Sequence, residues 1–272
     1  MSLRTEWIRY GENDEYLGFT AVAERAAAPL PAVIVLQEAG GVDAHIEDVT
    51  RRIALAGYFA IAPDLFAVGG ERPPELTRER LAEMMDFFNA LTPGTITDAS
   101  VRAAELARRP DDQAARLTET FATFIGGALQ LDQYLPHMRA TAVHLRSENQ
   151  ATRGQKIGVM GFCLGGGLTA LYACHDPDLA AAAIFYGMSP DASLAVNVAC
   201  PVLGFYGASD PRVNGTIPAF AGAMKAAGKR FEPHVYEGAD HAFFNDSRNS
   251  YHAGAARDAY ARLLDLFRRE LA

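Results

Sequence analysis

The chain has 272 residues, of which 49% are hydrophobic and 21% charged, and a formal net charge of −8. This suits one large α/β domain spanning residues 1–272 with a sizeable core, whereas the excess of acid and the absence of a basic run argue against a nucleic-acid partner. No apolar stretch reaches the roughly 20 residues that cross a bilayer, the start Met1-Ser2-Leu3-Arg4-Thr5-Glu6-Trp7 lacks a charged region followed by an apolar core, and three cysteines without a small-domain spacing fit reduced thiols, so the expectation is a cytoplasmic protein with no membrane partner.

From Trp7 to about Arg25, Tyr16, Phe19 and Val22 alternate with polar neighbours about the turn Gly11-Glu12-Asn13-Asp14, which predicts one or two antiparallel edge strands. Ala32-Val33-Ile34-Val35-Leu36 is continuous and β-branched, as in a strand buried on both faces of a parallel sheet. It runs into Gln37-Glu38-Ala39-Gly40-Gly41, after which Ile46, Val49, Ile53 and Leu55 predict a helix from Asp43 through Ala56, stopped by Gly57. Loops at the carboxyl ends of parallel strands are where ligands bind. Glu38 is thereby placed near any site on that side of the sheet.

The next strand and its exit are Tyr58 to Phe66. From Glu71 to about Ser147 the pattern turns helical, with Met84, Met85, Phe87 and Phe88 in one segment and a longer helix from Ala114 to Leu145, divided by the turn Leu91-Thr92-Pro93-Gly94. Part of this stretch is expected to be an insertion lying over the sheet edge as a cap; ordinary crossover helices are the alternative.

An apolar strand from Lys156 then meets Gly161-Phe162-Cys163-Leu164-Gly165, and an apolar helix follows through about Cys174. Glycines two places before and two places after a nucleophile let a strand reverse sharply into a helix, in backbone space that side chains would block. This is the G-x-S-x-G elbow with cysteine in place of serine. It aims a helix N-terminus at the thiol, and that dipole favours thiolate. Neither G-x-G-x-x-G nor G-x-x-x-x-G-K-[ST] is present here. Cys174 and Cys200 read as packing residues.

Two more buried strands, Ala181 to Gly187 and Pro201 to Gly207, keep the alternating rhythm, and the second ends in Ala208-Ser209-Asp210-Pro211. A helix from about Ile217 to Ala227, the strand Phe231 to Glu237, the loop Gly238-Ala239-Asp240-His241 and a final helix from about Ala253 to Leu271 complete the chain. Nucleophile, then acid after the penultimate strand, then histidine after the last, is the order of the α/β-hydrolase triad. Here it reads Cys163, Asp210, His241. Cys163 would attack a carbonyl, His241 would take up and return the proton, and Asp210 would fix the imidazole tautomer and stabilise its charged form. The backbone N–H groups of Leu164 and Ala39 would meet the oxyanion. Asp240 and Glu237 are rivals for the acid, though close to His241 in the chain, and Asp210 could instead cap the next helix. No grouping of His, Cys, Asp and Glu has a metal-ligand spacing, and no cofactor is implied.

Gln37-Glu38 with Gly40 or Gly41, Pro63-Asp64-Leu65-Phe66, Gly161 to Gly166, Tyr206 to Pro211 and Asp240-His241-Ala242-Phe243 together resemble the dienelactone hydrolases, or carboxymethylenebutenolidases, over nearly the whole chain. The resemblance implies a three-layer α/β-hydrolase fold with a mostly parallel central sheet flanked by helices and a helical insertion around residues 71–147. It also implies a cofactor-free hydrolase that opens the enol-lactone ring of dienelactone, with Glu38 touching the thiol until substrate displaces it. In the family two arginines hold the substrate carboxylate. Their positions here are Val68 and Asn245, with Arg72 and Arg248 nearby. The family chain is also shorter, so the extra helical material would reshape the pocket. The expected reaction is cleavage of a small lactone or carboxylic ester through an acyl-enzyme on Cys163. A thiol-based sensor and a non-catalytic small-molecule-binding protein are the alternatives, and monomer and homodimer are equally open.

Overall fold

The computed structural model describes residues 2–91 and 98–272. Its loosely alternating start folds as an antiparallel ribbon, β1 (Leu3–Tyr10) against β2 (Tyr16–Ala23), with Trp7 opposite Phe19. Of these two strands only β1 is an edge; β2 pairs antiparallel with β4 (Phe59–Pro63). The continuous apolar run is β3 (Ala32–Leu36), and each of its five residues is buried because strands flank it on both sides and helices cover both faces. Then come β5 (Ile157–Phe162), β6 (Ala181–Phe185), β7 (Val202–Gly207) and β8 (Phe231–Tyr236), giving an eight-stranded sheet in the order β1-β2-β4-β3-β5-β6-β7-β8. From β4 across to β8 every neighbouring pair is parallel. The register sets Leu36 opposite Gly161 and Phe162 opposite Phe185, so the loops after these strands leave the sheet side by side.

Helix α1 (Ala44–Leu55) follows β3; its first turn is capped by Asp43, which accepts from the Ile46 N–H at 3.0 Å. The expected long helix from Ala114 to Leu145 is instead several pieces. The stretch contains α2 (Arg78–Ala90), α3 (Ala99–Leu106), α4 (Asp111–Thr123) and α5 (Leu135–Val143), with a wide turn over Phe124–Ala128 in between. Gly126-Gly127 carries the poorest helix formers after proline, and Pro136 has no N–H to continue a helix, so the break falls where propensity is lowest. Of the expected turn Leu91-Thr92-Pro93-Gly94, the part beyond Leu91 lies outside the described residues.

This stretch does not merely overhang an edge. Leu81, Met84, Phe87, Leu117, Phe121 and Met138 share a core with Ile34, Ile61 and Val159 of the sheet and with Leu168 of α6 (Leu164–Ala173). It forms one helical layer together with α6, the short α7 (Pro211–Asn214) and α8 (Ile217–Ala226). On the other face α1 and α9 (Ala253–Glu270) bury Ile46, Val49, Ile53, Leu263, Leu266 and Phe267 against Val33, Val35, Ala60 and Met160. Among the described residues no helix is long and apolar enough to cross a membrane.

The helical segment is tied to the sheet through a buried polar network. The Tyr10 hydroxyl lies 2.9 Å from His137 Nε2 and 2.8 Å from Thr141 Oγ1, and Tyr16 stacks on His137 at 4.4 Å. Burial pushes the His137 imidazole down to about 4. The unfolded chain, near 6.5, therefore binds a proton that the native state refuses as pH falls from 6.5 towards 4, so this contribution to stability is present above pH 6.5 and lost below it. The expected loss between pH 7.5 and 5.0 is about 2 kcal/mol. Urea unfolding at the two pH values should read it directly, and His137→Gln should remove most of that difference; an equal pH dependence in the variant would assign the effect elsewhere.

Candidate active site

Cys163 occupies the turn between β5 and α6 with φ +52° and ψ −111°, left-handed backbone that a β-carbon disfavours. The surroundings hold it there. Its N–H donates to the Phe185 carbonyl at 3.0 Å, and the Gly165 N–H donates to the Gln37 carbonyl at 3.0 Å. A β-carbon on Gly161 would lie 2.2 Å from the Gly165 carbonyl oxygen, and one on Gly165 would lie 2.5 Å from that of Gln37, so neither position admits a side chain. The thiol, half-buried, is left at the tip of the turn.

On the next strands outward, the Asp210 carboxylate Oδ2 lies 2.6 Å from His241 Nδ1. The other Asp210 oxygen accepts from the Val213 N–H at 3.3 Å, so one carboxylate both caps α7 and orients the ring. The Cys163 thiol is close enough for its charge to act on the His241 ring. With Nδ1 occupied by Asp210, the ring nitrogen left to take up a proton is Nε2. Burial alone would lower the imidazole, but the Cys163 charge and the Asp210 hydrogen bond overcome it and raise His241 to about 10. Burial likewise pushes the Asp210 carboxyl up, and its hydrogen bond and charge interaction with His241 outweigh that and hold it below the usual carboxylate range. Asp240 is differently engaged: its Oδ1 accepts the backbone N–H of His241 at 2.7 Å. Glu237 is exposed.

Among the described residues, neither the Leu164 nor the Ala39 backbone N–H makes a hydrogen bond, and each lies on one of two loops that Gly165 and Gln37 hold together. Glu38 is buried with both oxygens engaged, Oε1 by the Tyr186 hydroxyl at 2.9 Å and Oε2 by Asn245 Nδ2 at 2.9 Å, while Arg248 Nη2 lies 3.8 Å from Oε2. It has no hydrogen bond to the Cys163 sulfur, unlike the contact the resemblance implied; its oxygens are turned to Tyr186, Asn245 and Arg248 instead. Burial and the adjacent Glu38 carboxylate raise the Tyr186 phenol well above its ordinary value, which keeps it a donor.

Tyr186 was not foreseen as a member of this site, and Asn245 was named only as the position of a family arginine, not as a partner of Glu38. Tyr186 follows β6 at the end where Cys163 follows β5, a position that singles it out once parallel pairing is assumed. The signal for Asn245 was its place four residues after His241, where the resemblance put an arginine; nothing in the sequence pairs it with Glu38. Val68 is 79% exposed. Arg72 donates through Nε to Asp64 at 2.6 Å, leaving both of its buried Nη groups without a hydrogen-bond partner beside Gly41. Among the described residues no three His, Cys, Asp or Glu side chains are gathered as a metal site would need.

A mostly parallel sheet carrying a nucleophile turn after its central strand, an acid after the next-but-one and a histidine after the last is the arrangement of the α/β hydrolases. The model of the dienelactone hydrolase family matches residues 19–271. A protein of Escherichia coli strain K12 provisionally named a carboxymethylenebutenolidase is 31% identical over 94% of this chain and 83% of its own length. The crystal structure of a provisionally named dienelactone hydrolase from Klebsiella pneumoniae superposes with a TM-score of 0.65 at 30% identity, covering 99% of this chain and 100% of the other. A dienelactone hydrolase-like promiscuous phosphotriesterase from metagenomic libraries shares the fold, with a TM-score of 0.73 at 20% identity and full coverage of both chains. The chain belongs to the dienelactone hydrolase family, a family of hydrolases.

Proposed function

We propose that the protein is a cysteine-dependent hydrolase that opens a small lactone or cleaves a small carboxylic ester, as the name carboxymethylenebutenolidase describes for its relatives, through an acyl-enzyme on Cys163. The observation that carries this reading is the 2.6 Å contact of Asp210 with His241 Nδ1, on a ring close enough to Cys163 at the elbow to feel its charge. The Cys163 sulfur, its proton passed to His241 Nε2, attacks the carbonyl carbon. The oxyanion is met by the free N–H groups of Leu164 and Ala39. Imidazolium returns the proton to the leaving oxygen as the tetrahedral intermediate collapses to a thioester. His241 then deprotonates a water that attacks the thioester, and the sulfur leaves. Cys163, Asp210 and His241 follow three strands of one sheet, which supports the chain working as one domain, and the absence of a disulfide among its three cysteines fits a cytoplasmic setting.

The class of substrate follows from the cations. Neither Val68 nor Asn245 brings a charge, and Arg248 is spent on Glu38 and on Asn89 Oδ1 at 2.8 Å. Burying a carboxylate without a partner is costly, so a neutral lactone should be turned over at least as fast as dienelactone. Intact-protein mass spectrometry during turnover, with steady-state rates on both substrates, tests this. A transient adduct and a preference for the neutral lactone are expected. Preference for dienelactone would transfer the carboxylate to the unpaired Nη groups of Arg72, and no adduct with either would remove the acyl-enzyme.

A further inference from the structure

Helix α6 carries three consecutive glycines in its first turn, and close backbone contacts demand only two of them. A β-carbon on Gly165 would lie 2.5 Å from the Gln37 carbonyl oxygen and one on Gly166 would lie 2.6 Å from that of Phe185. At Gly167, among the described residues, the nearest atom beyond the helix is the Leu131 Cδ1 methyl at 3.0 Å, and the nearest backbone is the Met188 carbonyl oxygen at 3.6 Å. A methyl at the end of a flexible side chain can turn aside, so this position does not forbid a side chain. Glycine is the poorest helix former after proline, and its presence at 167 weakens α6 with no gain in packing.

The side-chain direction at Gly167 leads back to the thiol. The Cα–Cβ bonds of a helix tilt towards its N-terminus, so the space left at 167 lies over the first turn. Cys163 opens that turn, and the Gly167 N–H closes it on the Cys163 carbonyl at 3.0 Å. Leu131, on the short helix Leu131–Tyr134 packed against α6, bounds the space on one side, and Met188, in the loop after β6, bounds it on another. Leu131 is half-buried and Met188 is 42% exposed, so both keep apolar surface that the core has not taken up. Arg212 donates through Nη1 to Met188 Sδ at 3.5 Å and marks the outer limit.

We propose that Gly167, Leu131 and Met188 form a slot for an unbranched aliphatic chain on the acyl group, so that the preferred substrate is a neutral lactone or ester carrying such a chain. This names the substrate class for the reading above and rests on Cys163 being the nucleophile. In the free protein Gly167 is buried with Leu131 resting over it. A rotamer change at Leu131 opens the slot without moving backbone. The acyl carbon is bonded to the sulfur in the intermediate, and a chain running from it over Gly167 lies between the Leu131 methyls and the Met188 thioether, whose flexibility suits an aliphatic guest. Glycine at 167 leaves the floor of the slot as bare backbone, which accounts for a residue that the helix does not need.

Steady-state kinetics of the full-length protein on p-nitrophenyl acetate, butyrate and hexanoate test this. Burial of successive methylenes should raise kcat/KM by about tenfold or more from acetate to hexanoate. In Leu131→Asp the hexanoate-to-acetate ratio of kcat/KM should fall by about tenfold, because a charge would border the slot. Met188→Asp, at an exposed position, should lower the same ratio, and it decides the matter should Leu131→Asp fail to fold. A merely structural role would lower both rates together and leave the ratio unmoved.

A flat or falling profile in the wild type overturns the proposal, as does a rising profile whose ratio neither variant changes. Should no ester be hydrolysed, alkylation followed by peptide mass spectrometry decides. Burial pushes Cys174 up to about 11 and Cys200 up to about 12, so the modification followed is that of Cys163. N-hexyl iodoacetamide should label Cys163 about tenfold faster than N-methyl iodoacetamide, and Met188→Asp should abolish the difference. That result would remove the hydrolase reading and keep the slot, whereas equal labelling would remove the slot as well.

Discussion

Replacing Cys163 by alanine should lower kcat by about ten-thousand-fold or more, because members of a nucleophile–base–acid unit act together and the loss of one removes the contribution of all. No second thiol can stand in: Cys174 and Cys200 are buried in the core beneath α6 and β7. The residual rate should be that of the oxyanion donors alone, with no acyl adduct by mass. Folding should be nearly untouched. The sulfur is half-buried, and alanine inherits the same left-handed backbone, so the change in stability should stay within about 1 kcal/mol by denaturant titration. Cys163→Ala with wild-type turnover would exclude covalent catalysis on this thiol, whereas loss of turnover accompanied by unfolding would say nothing about chemistry. Both quantities therefore belong in one experiment.

How much of this was legible beforehand depends on what each feature requires of the chain. The elbow was legible because its geometry forbids side chains at two places, and only glycine meets that demand; Gly161 and Gly165 declare it in the sequence. The sheet was legible because strands buried on both faces must be apolar throughout, as Ala32–Leu36 is. The helical stretch was not, since amphipathic periodicity continues on both sides of Gly126-Gly127 and nothing local says which face of the sheet will receive it. That Leu117 and Phe121 join Ile34 and Ile61 in one core is a property of the assembled layers. Glu38 was placed at the right end of β3, but its partners were not. Its pairing with Tyr186 and Asn245 spans 148 and 207 residues of sequence, and such pairings leave no periodic trace.

The acid is where sequence and geometry can be separated by experiment. Asp210→Asn should reduce kcat by about ten-thousand-fold while leaving the fold intact. The replacement keeps an oxygen that can accept the Val213 N–H, so the cap on α7 survives. What changes is the partner of His241 Nδ1. An amide nitrogen turned towards the ring donates, which drives the ring proton to Nε2 and blocks uptake of the thiol proton there. The imidazolium also loses the carboxylate that stabilises it. Since that hydrogen bond is among the effects that raise His241 to about 10 against the burial that lowers it, the alkaline limb of the kcat/KM profile should move to lower pH in the variant. Asp240→Asn gives the contrast. Asp240 holds only a backbone N–H, a contact worth about 1 kcal/mol, so the rate should fall by about tenfold at most. Equal losses in the two variants would mean that His241 needs its loop conformation more than its carboxylate, and the acid role of Asp210 would fall.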